Sequence, residues 1–405
     1  LREVGIGLLG VGWMGQLHTA SYRRVRDHYP NGQGSPRLVI AADSTEDRAR
    51  KAKEDLGYET WTTDWREVLA HPEVEAVSIT APNFLHLEMA LAAAEAGKHI
   101  WVEKPLGRSP EETLQAVEGV SAAGVRTIVG LNYRHVPAVQ YARQLIANQH
   151  IGRVNHYRSQ FLASYASQPQ GGLSWRFSKA LAGYGILYDL MSHEVDMAQF
   201  LLGPISRVTA RWATMIPRRP RIEMGTGTHF SVATNGELGE VENEDWVAAL
   251  VEFETGLVGT IESSRVAVGP EARYVFEANG TEGAVSWNFE RMNELEVCLP
   301  LASGDRGYTT VYMSPEHPDF GHFQPGPGLP MGYNDLKVIE AFLFLESVVD
   351  GVQRAPGVQE MGAAARVLDA IARSATSRAW EEVTLAQQAP PGAPQPSTAK
   401  VEVPR

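Results

Sequence analysis

The sequence predicts an α/β protein in two folded parts: a parallel sheet flanked by helices over residues 1–132, then an α+β part over 133–385 with a large, mainly antiparallel open sheet. Up to about residue 132, short β-branched apolar runs alternate with helix-like segments, the pattern of a parallel sheet covered on both faces. Beyond it the alternating segments lengthen and are separated by turn signals such as ETG and NGTEG, the pattern of antiparallel strands. At 405 residues the chain exceeds the size at which single cores stop growing, so two domains are expected.

The strands of the first part are VGIGLLG, RLVIAAD, AVSIT, HIWVE and RTIVGLN, with MGQLHTASYRRV, TEDRARKAKEDLG, WREVLAHP, HLEMALAAAEAG and SPEETLQAVEGVSAAG as helices between them. Two of these helices end at Gly57 and Gly97, as C-caps do. In the second part VNHYRSQFLASY, RVTARWATM, WVAALVEFETGLVGTIESSRVAV, RYVFEANGTEGAVSWN and ELEVCLP read as sheet, and LYDLMSHEVDMAQFLLG reads as one helix across or beside it. Residues 215–243 and 314–334 read as long loops, which in compact domains are usually functional or disordered. Two helices follow, DLKVIEAFLFLESVVDG and EMGAAARVLDAIARSATSRAW, and can pack back on the first part. Residues 386–405 form a Pro-rich, apolar-poor tail, expected to be disordered or draped over the surface.

A net charge of -12 without like-charge runs argues against nucleic acid or an anionic membrane as partner. Cys298 is the only cysteine, which excludes an intramolecular disulfide and a Cys-based zinc site and fits a reducing, cytoplasmic compartment. The N-terminus lacks the signal-peptide pattern and its apolar stretch is too short to span a bilayer, so it reads as a first strand.

Gly10-x-Gly12-x-x-Gly15 follows a strand and opens a helix. Gly10 permits the turn, Gly12 admits a pyrophosphate against the backbone, and Gly15 allows close helix–strand packing, with the amides at Trp13 and Met14 facing the phosphates. The next strand ends in Asp43, whose carboxylate suits both ribose hydroxyls of an adenosine and repels a 2′-phosphate. NAD is therefore preferred over NADP, although Arg48 lies near in sequence. The bland reading of Asp43 is a cap for the following helix. At the carboxyl ends of later strands, where α/β sheets bind ligands, fall Thr80, Pro82, Asn83, His86, Glu103 and Lys104. Pro105 restrains Lys104 to an extended conformation.

Asp189, His193 and Asp196 are spaced i, i+4, i+7, which keeps them within roughly 60° on one helical stripe. Removing hydride from a secondary alcohol requires a base near neutrality, and His193 meets that need. The Lys104 ammonium would stabilise the developing alkoxide, and Asp189 would orient the imidazole or bind a neighbouring hydroxyl. Mixed ligands on one helix without a second cluster make a poor metal site, so no metal is expected. Asp196 reads as the structural partner of an Arg or a backbone group.

GLLGVGWMGQLH, ITAPNFLH, WVEKPLG, GLNYR, DLMSHEVD and NGTEGAVSW, in this order, resemble the Gfo/Idh/MocA oxidoreductase family, up to about residue 376. The resemblance implies an N-terminal Rossmann domain, a C-terminal α+β domain, and a homodimer or homotetramer, because that domain's open sheet often forms the oligomer interface. By position Lys104, Asp189 and His193 match the catalytic trio, and Glu103, Asn132 and Arg176 match positions near the nicotinamide or substrate. Arg134 and Tyr333 are taken as further substrate residues. The chain departs from a minimal member near 26–36, at 215–243 and in the tail, which bears on substrate and oligomer contacts. The expected activity is NAD-dependent oxidation of a secondary hydroxyl of a sugar, anhydrosugar or inositol. A keto-sugar reductase would use the same residues in reverse, and a non-catalytic NAD(H)-sensing regulator would have no need of all three.

Overall fold

The computed structural model describes residues 1–222, 236–300, 304 and 306–384. Six parallel strands form the first sheet: β1 (Arg2–Leu9), β2 (Gly34–Ala42), β3 (Thr60–Thr62), β4 (Ala76–Ile79), β5 (His99–Val102) and β6 (Thr127–Val129). Their order is β3-β2-β1-β4-β5-β6, so the winding reverses between β1 and β4 and opens a crevice at their carboxyl ends. Helices α1 (Trp13–His28), α2 (Glu46–Glu54), α3 (Trp65–Ala70), α4 (Asn83–Glu95) and α5 (Pro110–Ala122) make the crossovers. The run Val4–Leu9 is buried throughout, as a strand covered on both faces must be. Gly57 and Gly97 lie just past α2 and α4 at φ 80° and 69°, in the left-handed region a helix end uses. The extra residues near 26–36 lengthen α1 and β2, leaving only a short connection between them.

Helix α6 (Pro137–Ala147) leads into the second sheet, which carries β7 (Val154–Ala163) near its centre. From β7 the chain crosses through α7 (Lys179–Ala182), α8 (Ile186–Asp189) and α9 (Met191–Leu202) to β8 (Ile205–Ala213). A short ribbon pairs β9 (Arg218–Pro220) with β10 (Leu238–Glu240), so the segment expected to be one long loop contains strands at both ends; residues 223–235 lie outside the described residues. The hairpins β11 (Trp246–Phe253) with β12 (Val258–Ser264), and β13 (Ala272–Gly280) with β14 (Ala284–Asn288), turn where ETG and NGTEG stand. After β15 (Glu294–Cys298) and β16 (Thr309–Tyr312), a helical turn α10 (Phe320–Phe323) interrupts the second expected loop. Helices α11 (Tyr333–Asp350) and α12 (Val358–Ser377) and the two-residue β17 (Glu381–Glu382) follow. The Pro-rich tail lies outside the described residues.

The nine strands run β16-β15-β14-β13-β7-β12-β11-β8-β17, antiparallel except for β7 with β12. That parallel pair follows from the helical crossover, because parallel strands cannot be joined by a hairpin. Both late helices return to the first half: α11 packs on α1 and β2, and α12 packs between α5, α9 and β8. Among the described residues no helix is long and apolar enough to cross a membrane.

Candidate active site

The glycine turn is built as its spacing requires. Gly10 has φ 101°, its N–H bonds to the Ala42 carbonyl at 2.8 Å, and its own carbonyl accepts from Thr80 Oγ1 at 2.7 Å. A Cβ on Gly15 would lie 2.1 Å from the Gly10 oxygen, so only glycine brings α1 this close to the turn. A Cβ on Gly12 would project into open space, which is where a pyrophosphate would rest on the backbone. The residues present therefore fit a dinucleotide. Trp13 is 68% exposed above the turn, and Met14 is partly buried beside it. Asp43 Oδ2 accepts from the Val11 N–H at 2.9 Å and Oδ1 from the Thr45 N–H at 3.0 Å. One carboxylate thus ties the glycine turn to the segment before α2, whose N-cap is Thr45 and not Asp43. Arg48 is exposed on α2, and Pro82 and Asn83 stand at the mouth of the crevice where α4 begins.

The helix expected to run unbroken from 187 to 203 breaks at Leu190. The Leu190 N–H still reaches back four residues to Ile186, but the His193 N–H bonds to the Leu190 carbonyl, three residues back. This tightened turn frees the Asp189 carbonyl, and Lys104 Nζ occupies it at 2.6 Å while donating to Asp189 Oδ1 at 2.9 Å. The Lys104–Pro105 peptide is cis. Tyr165 Oη donates to the other carboxylate oxygen, Oδ2, at 2.6 Å. Burial works to raise the Asp189 pKa, but Lys104, Arg176 and the Tyr165 hydroxyl together hold it well below the usual carboxylate range. The start of α8 is fastened by Glu244, whose backbone oxygen accepts from Ile186 N–H and whose Oε1 accepts from Leu187 N–H at 3.0 Å.

His193 is 6% exposed, with the Tyr133 ring edge-on at 4.8 Å and its backbone oxygen held by the Tyr274 hydroxyl at 2.9 Å. Burial, and then the Lys104 charge, push its pKa well below an imidazole's usual value, against the pull of Asp189. The shift favours the uncharged ring and makes it a weaker base than a free imidazole. Tyr333, at the start of α11, lies 6.3 Å from both Trp13 and Tyr133 by ring centroids. Asn132 is buried with its Nδ2 unpartnered. Arg176 sits on a 3-10 turn with its guanidinium over Trp175.

Three expected ligand residues are turned elsewhere. Arg134 forms a two-pronged ion pair with Asp196, Nε to Oδ2 at 2.7 Å, which gives Asp196 the structural role expected of it. His86 is buried with its two ring nitrogens each 2.7 Å from a carbonyl oxygen, of Pro105 and of Ala81, and so braces the ends of β4 and β5. Glu103 points into the interior beside His18 and Lys337. Reading the sequence missed Tyr165, Tyr133 and Glu244; the adjacency of Tyr133 to Asn132 was the one local hint. Among the described residues no three His, Cys, Asp or Glu side chains converge as a metal site requires.

Comparison with known proteins identifies the family. Residues 4–131 match the model of an oxidoreductase family with an NAD-binding Rossmann fold, and 139–286 match the Gfo/Idh/MocA C-terminal domain. The chain is 36% identical over 386 residues to levoglucosan dehydrogenase of Pseudarthrobacter phenanthrenivorans, covering 95% of this chain and 99% of that one. It is 31% identical over 285 residues to scyllo-inositol 2-dehydrogenase (NAD(+)) of Bacillus subtilis, covering 70% and 73% of the two chains. A solved levoglucosan dehydrogenase in complex with NADH and levoglucosan superposes with a TM-score of 0.89 at 35% identity, over 95% of this chain and 100% of that one. With a glycine cradle for a dinucleotide and a Lys–Asp–His cluster at its mouth, the chain belongs to the Gfo/Idh/MocA family of oxidoreductases, with an NAD-binding Rossmann domain at its N-terminus.

Proposed function

We propose that the protein oxidises a secondary hydroxyl of a sugar, anhydrosugar or inositol to the ketone. The observation that carries this reading is the joining of Lys104 to both the carbonyl and the carboxylate of Asp189, with the buried His193 four residues further along the chain, at the carboxyl end of β5. The levoglucosan and inositol dehydrogenases among its relatives support the substrate class.

NAD, when bound on the glycine turn, supplies the hydride acceptor. Two of the three Lys104 donors are taken by Asp189, which leaves one to aim at the substrate oxygen and stabilise negative charge as it develops there. His193 takes the hydroxyl proton. Asp189 stays ionised and holds the ammonium in place. The aromatic rings of Tyr133, Phe289 and Tyr333 offer the C–H face of a sugar ring an apolar wall.

The test is formation of reduced nicotinamide, followed by its absorbance, with NAD or NADP against inositols, pyranoses and anhydrosugars. Turnover with NAD and one polyol class is expected, and His193→Ala should lower kcat by roughly 10²–10⁴-fold. Silence with every alcohol while NADH still binds, or a near-normal rate in His193→Ala, would overturn the reading.

A further inference from the structure

Glu103 and Lys104 are neighbours that leave the end of β5 in different directions. Lys104 enters the active-site cleft, and Glu103 enters the seam between α1 and α11. There Glu103 Oε1 meets His18 Nε2 at 2.9 Å and Lys337 Nζ at 2.6 Å, and Lys337 Nζ reaches Glu340 Oε2 at 2.8 Å. His18, Lys337 and Glu340 are fully buried. The carboxylate has little room to turn: the His18 ring lies flat on Trp101 at 3.6 Å, and a Cβ on Gly130 would come within 2.6 Å of Glu103 Oε2.

Four ionisable side chains sealed together are a poor way to stabilise a fold, because desolvation offsets most of their attraction. Their arrangement has another use. Tyr333, Lys337 and Glu340 stand at i, i+4, i+7 on α11, one face of the helix. The turn that presents Tyr333 to the cleft therefore also carries the cation that holds Glu103. Burial lowers His18 to about 4, which keeps it neutral. Burial raises Glu340 to about 7, against Lys337. Burial works to raise Glu103 as well, but Lys337 and His18 outweigh it and hold the carboxyl well below its usual range.

We infer that Lys337 is a positioning residue for the reaction: by fixing Glu103 it sets the peptide from which Lys104 projects, and so aims the ammonium at Asp189 and at the substrate oxygen. The inference rests on Lys104 being the residue that polarises the hydroxyl.

The test uses the full chain with Lys337→Met, which keeps an unbranched side chain one atom shorter and removes its charge. The expected result is a fall in kcat of about 10²-fold, the scale of a misplacement near 1 Å, with NADH affinity retained. Acetic anhydride labelling of amines, read by peptide mass spectrometry, reports Lys104 itself, which should label several-fold faster once its hold on Asp189 loosens. A purely structural lysine would lower the melting temperature and leave both the kcat of the folded enzyme and the Lys104 labelling rate at wild-type values, and that result overturns the inference. Should Lys337→Met fail to fold, Glu103→Gln keeps the shape and removes the charge Lys337 holds. The same two changes are then expected, and wild-type values for both overturn the inference. Lys104→Met separates the two readings. Full activity there removes the role of Lys104 and the positioning inference with it. Loss of activity there, beside wild-type behaviour in Lys337→Met and Glu103→Gln, removes the positioning inference alone.

Discussion

Asp189 shows how little freedom a single site residue has. One carboxylate oxygen takes the Lys104 ammonium and the other takes the Tyr165 hydroxyl, so both oxygens are already committed to donors. The Tyr165 bond is one of the interactions that keep the carboxyl ionised, and removing it raises the Asp189 pKa. Activity that depends on the ionised form is then lost at a higher pH on the acid side. Tyr165→Phe is expected to lower kcat by roughly 10–100-fold, the worth of a hydrogen bond to a charged group, and to move the acid limb of the pH–kcat profile upward. A wild-type profile and rate would reduce Tyr165 to a packing residue.

At the scale of elements, α9 carries a second carboxylate with the opposite behaviour. Glu194 is fully buried beneath the second sheet, accepting from Ser159 on β7 at 3.0 Å and from Ser263 on β12, and burial pushes it up to about 8. A carboxyl whose folded pKa lies above its unfolded one contributes stability below the unfolded value and loses it as pH rises through the folded value. Glu194→Gln should therefore raise the melting temperature relative to wild type progressively between about pH 5 and pH 9. A difference independent of pH would mean that the carboxyl does not titrate in this window. Local sequence could point to the glycine turn, the strand ends and the Asp189/His193 stripe, because each depends on residues a few positions apart. It could not show the break at Leu190, which depends on Lys104 arriving from 85 residues away to take a freed carbonyl. Nor could it show the buried cluster of His18, Glu103, Lys337 and Glu340: a lysine within the apolar helix DLKVIEAFLFLESVVDG looks like an exposed residue until α1 and β5 are placed against it. The partners of Arg134 and His86 were hidden for the same reason, since Asp196 and Pro105 are adjacent to them only in the fold.

For the whole molecule, the first sheet is completed by residues from the far end of the chain. The Val129 N–H at β6 bonds to the Pro356 carbonyl at 2.9 Å, and the Thr127 N–H reaches Gln353 Oε1 at 3.3 Å. Helix α11 covers α1, with Tyr29 stacked on Phe342 at 3.9 Å, Arg24 paired with Asp335 at 2.8 Å, and Glu346 Oε1 accepting from the Gly34 N–H at 3.0 Å. Residues 1–132 alone would lose all of this and would strand Glu103 without its lysine. Removing one partner from a buried pair costs about 3–5 kcal/mol, a large share of the roughly 5–15 kcal/mol that holds a domain together. A polypeptide ending at residue 132 is thus expected to show no cooperative thermal transition by circular dichroism, even though it contains every strand of the parallel sheet. Joining residues 333–384 to it through a flexible linker should restore the transition, because that segment carries Lys337, Phe342, Glu346 and the strap along β6. A sharp melt from 1–132 by itself would show that the parallel sheet is self-sufficient and that the returning helices serve only the active site.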